Sequence, residues 1–178
     1  EPAPQHRKPK SGKRLRNTGM FNAAPQVASP TSVAALTLLM LTGWREKEAL
    51  TLRWSEVDFE RGMVTLEDTK SGRSVRPVPA PALALIAEQP KLVGSAYVFP
   101  GRVAGKPLQE IQRLWYAVRH ADELEGVRLH DLRHSVASIA AAQGFSLPLI
   151  GNLLGHADSR STARYAHITD DARKVAAD

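Results

Sequence analysis

The chain has 178 residues, 43% of them hydrophobic and 24% charged, which suits one domain with a single buried core. It contains no cysteine, which excludes disulfides and thiolate metal sites. The longest apolar run, residues 33–41, is too short to cross a bilayer, and no secretory leader is visible. We therefore expect a cytoplasmic protein without a membrane partner.

The net charge of +6 is concentrated at the N-terminus. Residues 1–20 carry six Lys or Arg against one Glu, whereas the remaining residues hold 18 basic and 17 acidic side chains. Residues 1–29 also contain four prolines and no hydrophobic period, so we expect a basic, flexible arm or linker. Such an arm is typical of nucleic-acid binding and equally of a solvated linker.

The first predicted helix begins after Pro30, is capped by Thr31 or Ser32, and ends at Gly43. Two short strands follow around an Arg-Gly turn, and a hairpin closed by Ser71-Gly72 comes next. Prolines at 77 and 79 predict that the second hairpin strand is an edge. The remaining helices are predicted over 45–54, from 81 to about 89, and over 108–121, 131–143, 147–154 and 161–167.

These elements predict an α+β fold, mainly α-helical with a small antiparallel β-sheet. We expect it to occupy residues 30–168, with 169–178 as a tail or docking segment. In the helix from 131, the spacing predicts that Leu132, Val136 and Ile139 face inward.

The segment LHDLRHSVAS, residues 129–138, holds the first candidate site residues. His130 and Arg133 share a helix face, which places a proton-transfer group beside a fixed cation. His134 lies next to them in sequence. Such a pair suits chemistry on an anionic substrate such as a phosphodiester.

Further candidates lie elsewhere in the chain, and each also has an ordinary structural explanation. A helix-start arginine pairs with a glutamate three residues on, a lysine beside a hairpin turn is commonly exposed, and a histidine after a helix stabilises its carbonyls. A tyrosine ring commonly packs on the core. These further candidates are Arg45 with Glu48, Lys70, His156 and Tyr165.

Together these segments resemble the catalytic domain of the tyrosine recombinases, the phage integrase family. The resemblance covers residues 31–168 and includes the nine-residue spacing from His156 to Tyr165. Its motifs are LTGWREKEALTLRW at 41–54, DTKSGRSVRPVP at 68–79, LHDLRHSVAS at 129–138 and LLGHADSRSTARYAH at 153–167.

The resemblance implies a set of catalytic roles. Arg45 and Arg133 would clamp the phosphate oxygens, as the planar arginine fork favours. Tyr165 would attack phosphorus to form a 3′-phosphotyrosine, with His130 as general base. Lys70 would be the general acid and His156 a hydrogen-bond donor to the phosphate, while Glu48 and His134 would support the site. No metal or other cofactor is implied.

The resemblance also implies partners and an origin. We expect double-stranded DNA as substrate, self-association into a recombinase tetramer, and a bacterial prophage or mobile element as source. The N-terminal core-binding domain of the family has no counterpart in this sequence, so we expect an isolated catalytic domain. Three rivals stay open: a topoisomerase-like nicking and resealing enzyme, a DNA-binding regulator without catalysis, and a metal-dependent nuclease using His130 and His156.

Overall fold

The computed structural model describes residues 28–67, 69, 72–156 and 158–169. The expected N-terminal arm and the C-terminal tail lie almost wholly outside these residues. Within them the fold is mainly helical with one small antiparallel sheet, as predicted. The helices are α1 (Pro30–Thr42), α2 (Glu46–Leu50), α3 (Ala80–Ala87), α4 (Gln112–Ala121), α5 (Asp131–Ala142), α6 (Leu147–Leu154) and α7 (Arg160–Ala163).

Helix α1 is the central element and packs against α2, α3, α4 and α5. It is apolar nearly all round, which suits a helix with neighbours on several sides. Its N-cap is Ser29, not Thr31 or Ser32 as predicted. Pro30 occupies the first helical position, where its missing N–H costs nothing, so the capping side chain comes one residue earlier.

The sheet contains β1 (Val57–Asp58), β2 (Met63–Leu66) and β3 (Ser74–Pro77) in the order β1-β2-β3. Both pairings are antiparallel, and Met63 pairs with Pro77. β3 is therefore an edge strand, as its prolines predicted. A 3₁₀ turn, Trp54–Glu56, leads into the sheet.

Two predicted helices are shorter in the structure. Residues 45–54 form the five-residue α2 before the 3₁₀ turn, and residues 108–111 are not helical. The N–H of Leu108 instead donates to the carbonyl of Phe99, and Pro107 bridges to Pro100. A tertiary backbone contact thus replaces the first predicted turn of α4.

The inward face of α5 differs from the prediction. Ile139 is 60% exposed, whereas Arg133, Ala137 and Ala141 are buried. These three residues are spaced by four, so they form one stripe along the helix. Small alanine side chains let α5 approach α1 and α6 closely, which turns Ile139 outward.

The buried residues form two clusters. The larger one joins α1, α2, α3, the sheet and α4, and includes Leu38, Val64, Ile86 and Phe99. The smaller one joins α5, α6 and the C-terminal segment and consists of Ala137, Ala141, Ile150, Leu154 and Tyr165. No helix among the described residues is both long and apolar enough to span a membrane.

Candidate active site

Arg45 lies at the boundary between α1 and α2, as the N-cap of α2. Its backbone N–H donates to Oε2 of Glu48 at 3.0 Å, and its Nη1 donates to Oε1 at 2.7 Å. Glu48 is the third residue of α2, so this is the return half of a capping box. One carboxylate thus fixes both the backbone and the guanidinium of Arg45, which stays partly exposed.

Arg133 is only 4% exposed and reaches across from α5 to the end of α1. Its Nη1 donates to the carbonyl of Gly43 at 2.9 Å. Gly43 ends α1 in the left-handed conformation, at a φ of 64°, which frees that carbonyl from the helix. The Nη2 of Arg133 is buried and has no hydrogen-bond partner among the described residues. A buried donor without an acceptor is costly, so the site is built to receive one.

The charge of Arg133 is crowded. Burial, followed by the positive charge of Arg45, lowers the pKa of Arg133 to about 10. The group still stays protonated at neutral pH. Two guanidinium groups held close enough to repel each other form a site for an anion.

Tyr165 is 5% exposed and lies in the smaller buried cluster. Its hydroxyl is 2.6 Å from Nδ1 of His134, and the His130 ring contacts the His134 ring edge-on at a centroid distance of 5.3 Å. Burial raises the pKa of Tyr165, although the charges of Arg164 and Arg133 act in the opposite direction. His134, expected only in support, is therefore the imidazole that touches the hydroxyl.

His130 precedes α5 and is exposed enough to reach a substrate. Burial, then the charges of His134 and Arg133, lower its pKa below the ordinary value. At neutral pH the ring is uncharged and can accept a proton.

His156 follows Gly155, which ends α6 in the left-handed conformation as predicted. Its Nδ1 is 2.7 Å from Oγ1 of Thr162 in α7. Burial, followed by the charges of Arg133 and Arg45, lowers the pKa of His156 to about 4. The ring is therefore neutral at pH 7 and lies within the field of both arginines.

The structure brings Arg45, Arg133, His156 and Tyr165 into one region, since their charges or rings act on one another. Lys70 lies outside the described residues. The sequence predicted a helix over 161–167 that includes Tyr165. In the structure α7 ends at Ala163, and Tyr165 occupies the turn that follows.

One buried residue of the site was not anticipated from the sequence. Arg76 in β3 is fully buried and donates to both oxygens of Glu48, at 2.8 Å and 3.0 Å. Strand alternation carries a usable signal, because Arg76 stands two residues before the buried Val78 and shares its face. The partner Glu48, 28 positions away, has no local signature.

Among the described residues no group of His, Cys, Asp and Glu side chains is close enough to hold a metal ion. A cleft of about 680 Å³ lies between β3, α6 and α7, and of the candidate residues that the structure describes only His156 lines it. The two arginines and the tyrosine do not line that cleft.

Comparison with known proteins decides the family. The family model described as "Phage integrase family" matches residues 18–172. The chain belongs to the phage integrase family. Tyrosine recombinase XerC of Xanthomonas axonopodis pv. citri (strain 306) is 33% identical over 141 residues, which cover 76% of this chain and 46% of that protein. The chain spans about half the length of such curated relatives.

Solved recombinase structures share the fold. The catalytic domain of bacteriophage HP1 integrase matches with a TM-score of 0.56 and 25% identity, over 76% of this chain and 73% of that one. XerH site-specific recombinase, bound to palindromic difH substrate in a post-cleavage complex, matches with a TM-score of 0.65 and 20% identity, over 85% and 47%. The predicted family and fold class are both confirmed.

Proposed function

We propose that this chain is the catalytic domain of a site-specific DNA recombinase, which breaks and rejoins DNA through a covalent 3′-phosphotyrosine. The observation that carries the proposal is the buried, unpartnered Nη2 of Arg133, in the same region as Arg45 and Tyr165. A phosphodiester oxygen would satisfy that donor. The family membership and the DNA-bound XerH neighbour support a DNA substrate.

In the proposed step, Oη of Tyr165 attacks phosphorus and the bond from phosphorus to O5′ breaks. The tyrosine proton passes to His130, and O5′ leaves with a proton from Lys70. With a reference pKa near 10, only about one tyrosine in a thousand is ionised at neutral pH, so a base is required. The neutral His130 ring supplies it, and His134 holds the hydroxyl in position beforehand.

Stabilisation of negative charge in the transition state lowers the barrier further. Arg45 and Arg133 would each donate to the non-bridging oxygens, where negative charge grows in the transition state. If Thr162 donates to Nδ1 of His156, the neutral ring keeps its hydrogen on Nε2 and donates that to the phosphate. The covalent bond conserves energy, so rejoining to a new 5′-hydroxyl needs neither ATP nor a metal.

Assembly belongs to the same proposal. We expect four protomers on two duplexes, acting in the bacterial cytoplasm on a prophage or mobile element. Exposed apolar side chains support self-association, since Ile139 in α5, Phe145 in the connection and Leu149 in α6 are all exposed. We also propose residues 1–29 as a basic arm to the catalytic domain, 30–168, and 169–178 as a docking segment between protomers.

The test is covalent capture of DNA. Duplexes with randomised flanks carry a nick a few nucleotides beyond a fixed position, so that the short 5′-hydroxyl fragment diffuses away after attack. Protein–DNA adducts that resist detergent are isolated, and their DNA is sequenced to identify a site. Wild type should form the adduct with EDTA present, and Tyr165→Phe should not.

The matched controls are Tyr97→Phe and Tyr116→Phe, the other two tyrosines of the chain. Both should keep the adduct. Salt-dependent binding without an adduct in wild type would favour the DNA-binding regulator, and cleavage that EDTA abolishes would favour the nuclease. Relaxation of supercoiled plasmid by a single protomer, without strand exchange, would favour the topoisomerase-like enzyme.

A further inference from the structure

Arg76 is the one arginine of the described residues that is 0% exposed. It stands in an edge strand next to a hairpin turn, where a charged side chain would ordinarily point to solvent. Burying a guanidinium is expensive unless its donors are all paired. Here they are largely paired, since Nη1 and Nη2 donate to Glu48 and Nε donates to Oγ of Ser74 at 2.9 Å.

Glu48 connects Arg76 to the clamp arginine. Each of its oxygens accepts from both: Oε1 from Nη1 of Arg45 and Nη2 of Arg76, and Oε2 from the N–H of Arg45 and Nη1 of Arg76. Burial by itself raises the pKa of Glu48, but the hydrogen bonds and charge of Arg76, and then Arg45, outweigh it and lower that pKa. The carboxylate is thus a charged bridge between the two guanidinium groups.

Gly155 connects Arg76 to the chain segment that carries His156. A Cβ atom at Gly155 would collide with the guanidinium of Arg76, so the arginine lies directly against this backbone. Gly155 has a φ of 68°, which any other residue adopts with strain. The next residue is His156. Arg76 therefore contacts the supports of two candidate site residues at once.

We propose that Arg76 is a positioning residue for strand cleavage. It holds the guanidinium of Arg45 and the chain segment that carries His156 at a fixed distance from each other. The inference rests on the proposed function, because the relative position of Arg45 and His156 matters only if both bind the same phosphate. A displacement of about 1 Å in such a constellation can cost about 10²-fold in rate.

The first test compares Arg76→Met and Arg76→Lys on the duplex selected by covalent capture. The rate constant of adduct formation is measured at saturating protein, together with the fraction folded. Arg76→Met should slow adduct formation by about 10- to 100-fold. Arg76→Lys should also be slow, because an ammonium keeps the charge but not the fork that grips both oxygens of Glu48. Wild-type rates in folded Arg76→Met would overturn the proposal.

Substitution of the leaving group distinguishes a defect in phosphate binding from loss of the general acid. With sulfur in place of the bridging O5′, the leaving thiolate needs no proton, so a Lys70→Ala variant should regain most of its rate. Arg76→Met should not regain it, because its defect lies at the phosphate. Full recovery of Arg76→Met would contradict the assigned role.

A matched glycine pair avoids removing the buried charge. Gly155→Ala and Gly144→Ala carry the same backbone strain, with φ of 68° and 79°, but a Cβ at Gly144 meets nothing within 4 Å. Gly155→Ala should slow adduct formation at least tenfold more than Gly144→Ala. Equal rates in the two variants would contradict contact between Arg76 and the His156 segment as a determinant of cleavage.

A measurement without DNA keeps the two proposals distinguishable. The pKa of His156, about 4 in the wild type, is followed by NMR of the imidazole. In Arg76→Lys the charge stays, so a rise towards the ordinary value of about 6.5 reports a loosened segment. An unchanged pKa in Arg76→Lys would overturn the inference. Absence of any adduct in wild type would instead overturn the proposed function.

Discussion

The two arginines and the tyrosine of the candidate site are supported by buried clusters of different size. Arg45 and Arg133 are held beside the larger cluster, between the ends of α1 and α2, where Trp44, Ala49 and Leu50 are buried. Tyr165 belongs to a cluster with five buried members in the described part of the chain, and it follows a four-residue helix. The proposed anion clamp is therefore held by a large packed cluster, whereas the proposed nucleophile, Tyr165, is held by a small one and by the hydrogen bond to His134.

The largest expected effect concerns the clamp. Arg133→Met should lower the rate of adduct formation by about 10³-fold, as loss of one preorganised donor does at other active sites. The same change should alter thermal stability little, because it removes a buried unpaired donor and a crowded positive charge but also the hydrogen bond to the carbonyl of Gly43. Kinetics and calorimetry of the same sample measure both.

Arg119→Met serves as the control, since Arg119 lies in α4 outside the site. It should leave the rate unchanged. A loss of more than about 2 kcal/mol of unfolding free energy in Arg133→Met would show that the arginine is structural.

The imidazole pair gives the next effect. His130→Ala should slow adduct formation by about 10²-fold, the lower end of the range for loss of a general base. His134→Ala removes only the contact that holds the Tyr165 hydroxyl, so a loss of about tenfold is expected. The rate constants are measured from pH 6 to 10.

His134→Asn places an amide oxygen where Nδ1 stands and should recover most of the tenfold loss. His130→Ala should recover as the pH rises, because tyrosine then ionises without a base. If His134→Ala were the slower of the two, the base would be His134.

A matched pair of core substitutions tests the contrast in packing. Ile86 and Ile150 are both fully buried, the first in the larger cluster and the second in the smaller one. Ile→Val at either position should cost about 0.5–1.5 kcal/mol of unfolding free energy. Only Ile150→Val should also slow cleavage per folded molecule, by several-fold, because it loosens the packing around Tyr165. Equal cleavage rates would mean that the nucleophile does not depend on the small cluster.

Acid should destabilise the fold. The pKa of His156 is about 4 in the folded protein and about 6.5 when unfolded, so the unfolded state binds more protons between these values. Stability is full above pH 6.5 and falls as the pH drops towards 4. In His156→Gln this part of the pH dependence of Tm should disappear. A Tm profile identical to wild type would contradict a partly buried, neutral His156.

The sequence predicted the elements whose signals are local. Gly155 after the apolar run ends α6, and alternation with a glycine turn gives the β2–β3 pairing. Where tertiary contacts compete, local signals failed. The pairing of Leu108 with Phe99 removes a turn of helix, and the close approach of α5 to its neighbours exposes Ile139.

The candidate site also has one part that local motifs predicted and one part that they did not. Motifs with fixed spacing identified Arg45, Arg133, His156 and Tyr165 as candidates, and the structure brings them into one region. The network around Arg76 and the contact of His134 with Tyr165 could not be predicted. They join residues 28 and 31 positions apart, and no local period links such positions.

Mapping the site of covalent attachment to DNA decides whether Tyr165 is the nucleophile. The detergent-resistant adduct is digested with nuclease and trypsin, and mass spectrometry locates the remaining nucleotide. We expect a nucleotide 3′-phosphate on Tyr165, with Tyr97 and Tyr116 unmodified. A nucleotide on any other side chain, or cleaved DNA without an attached protein, would contradict it.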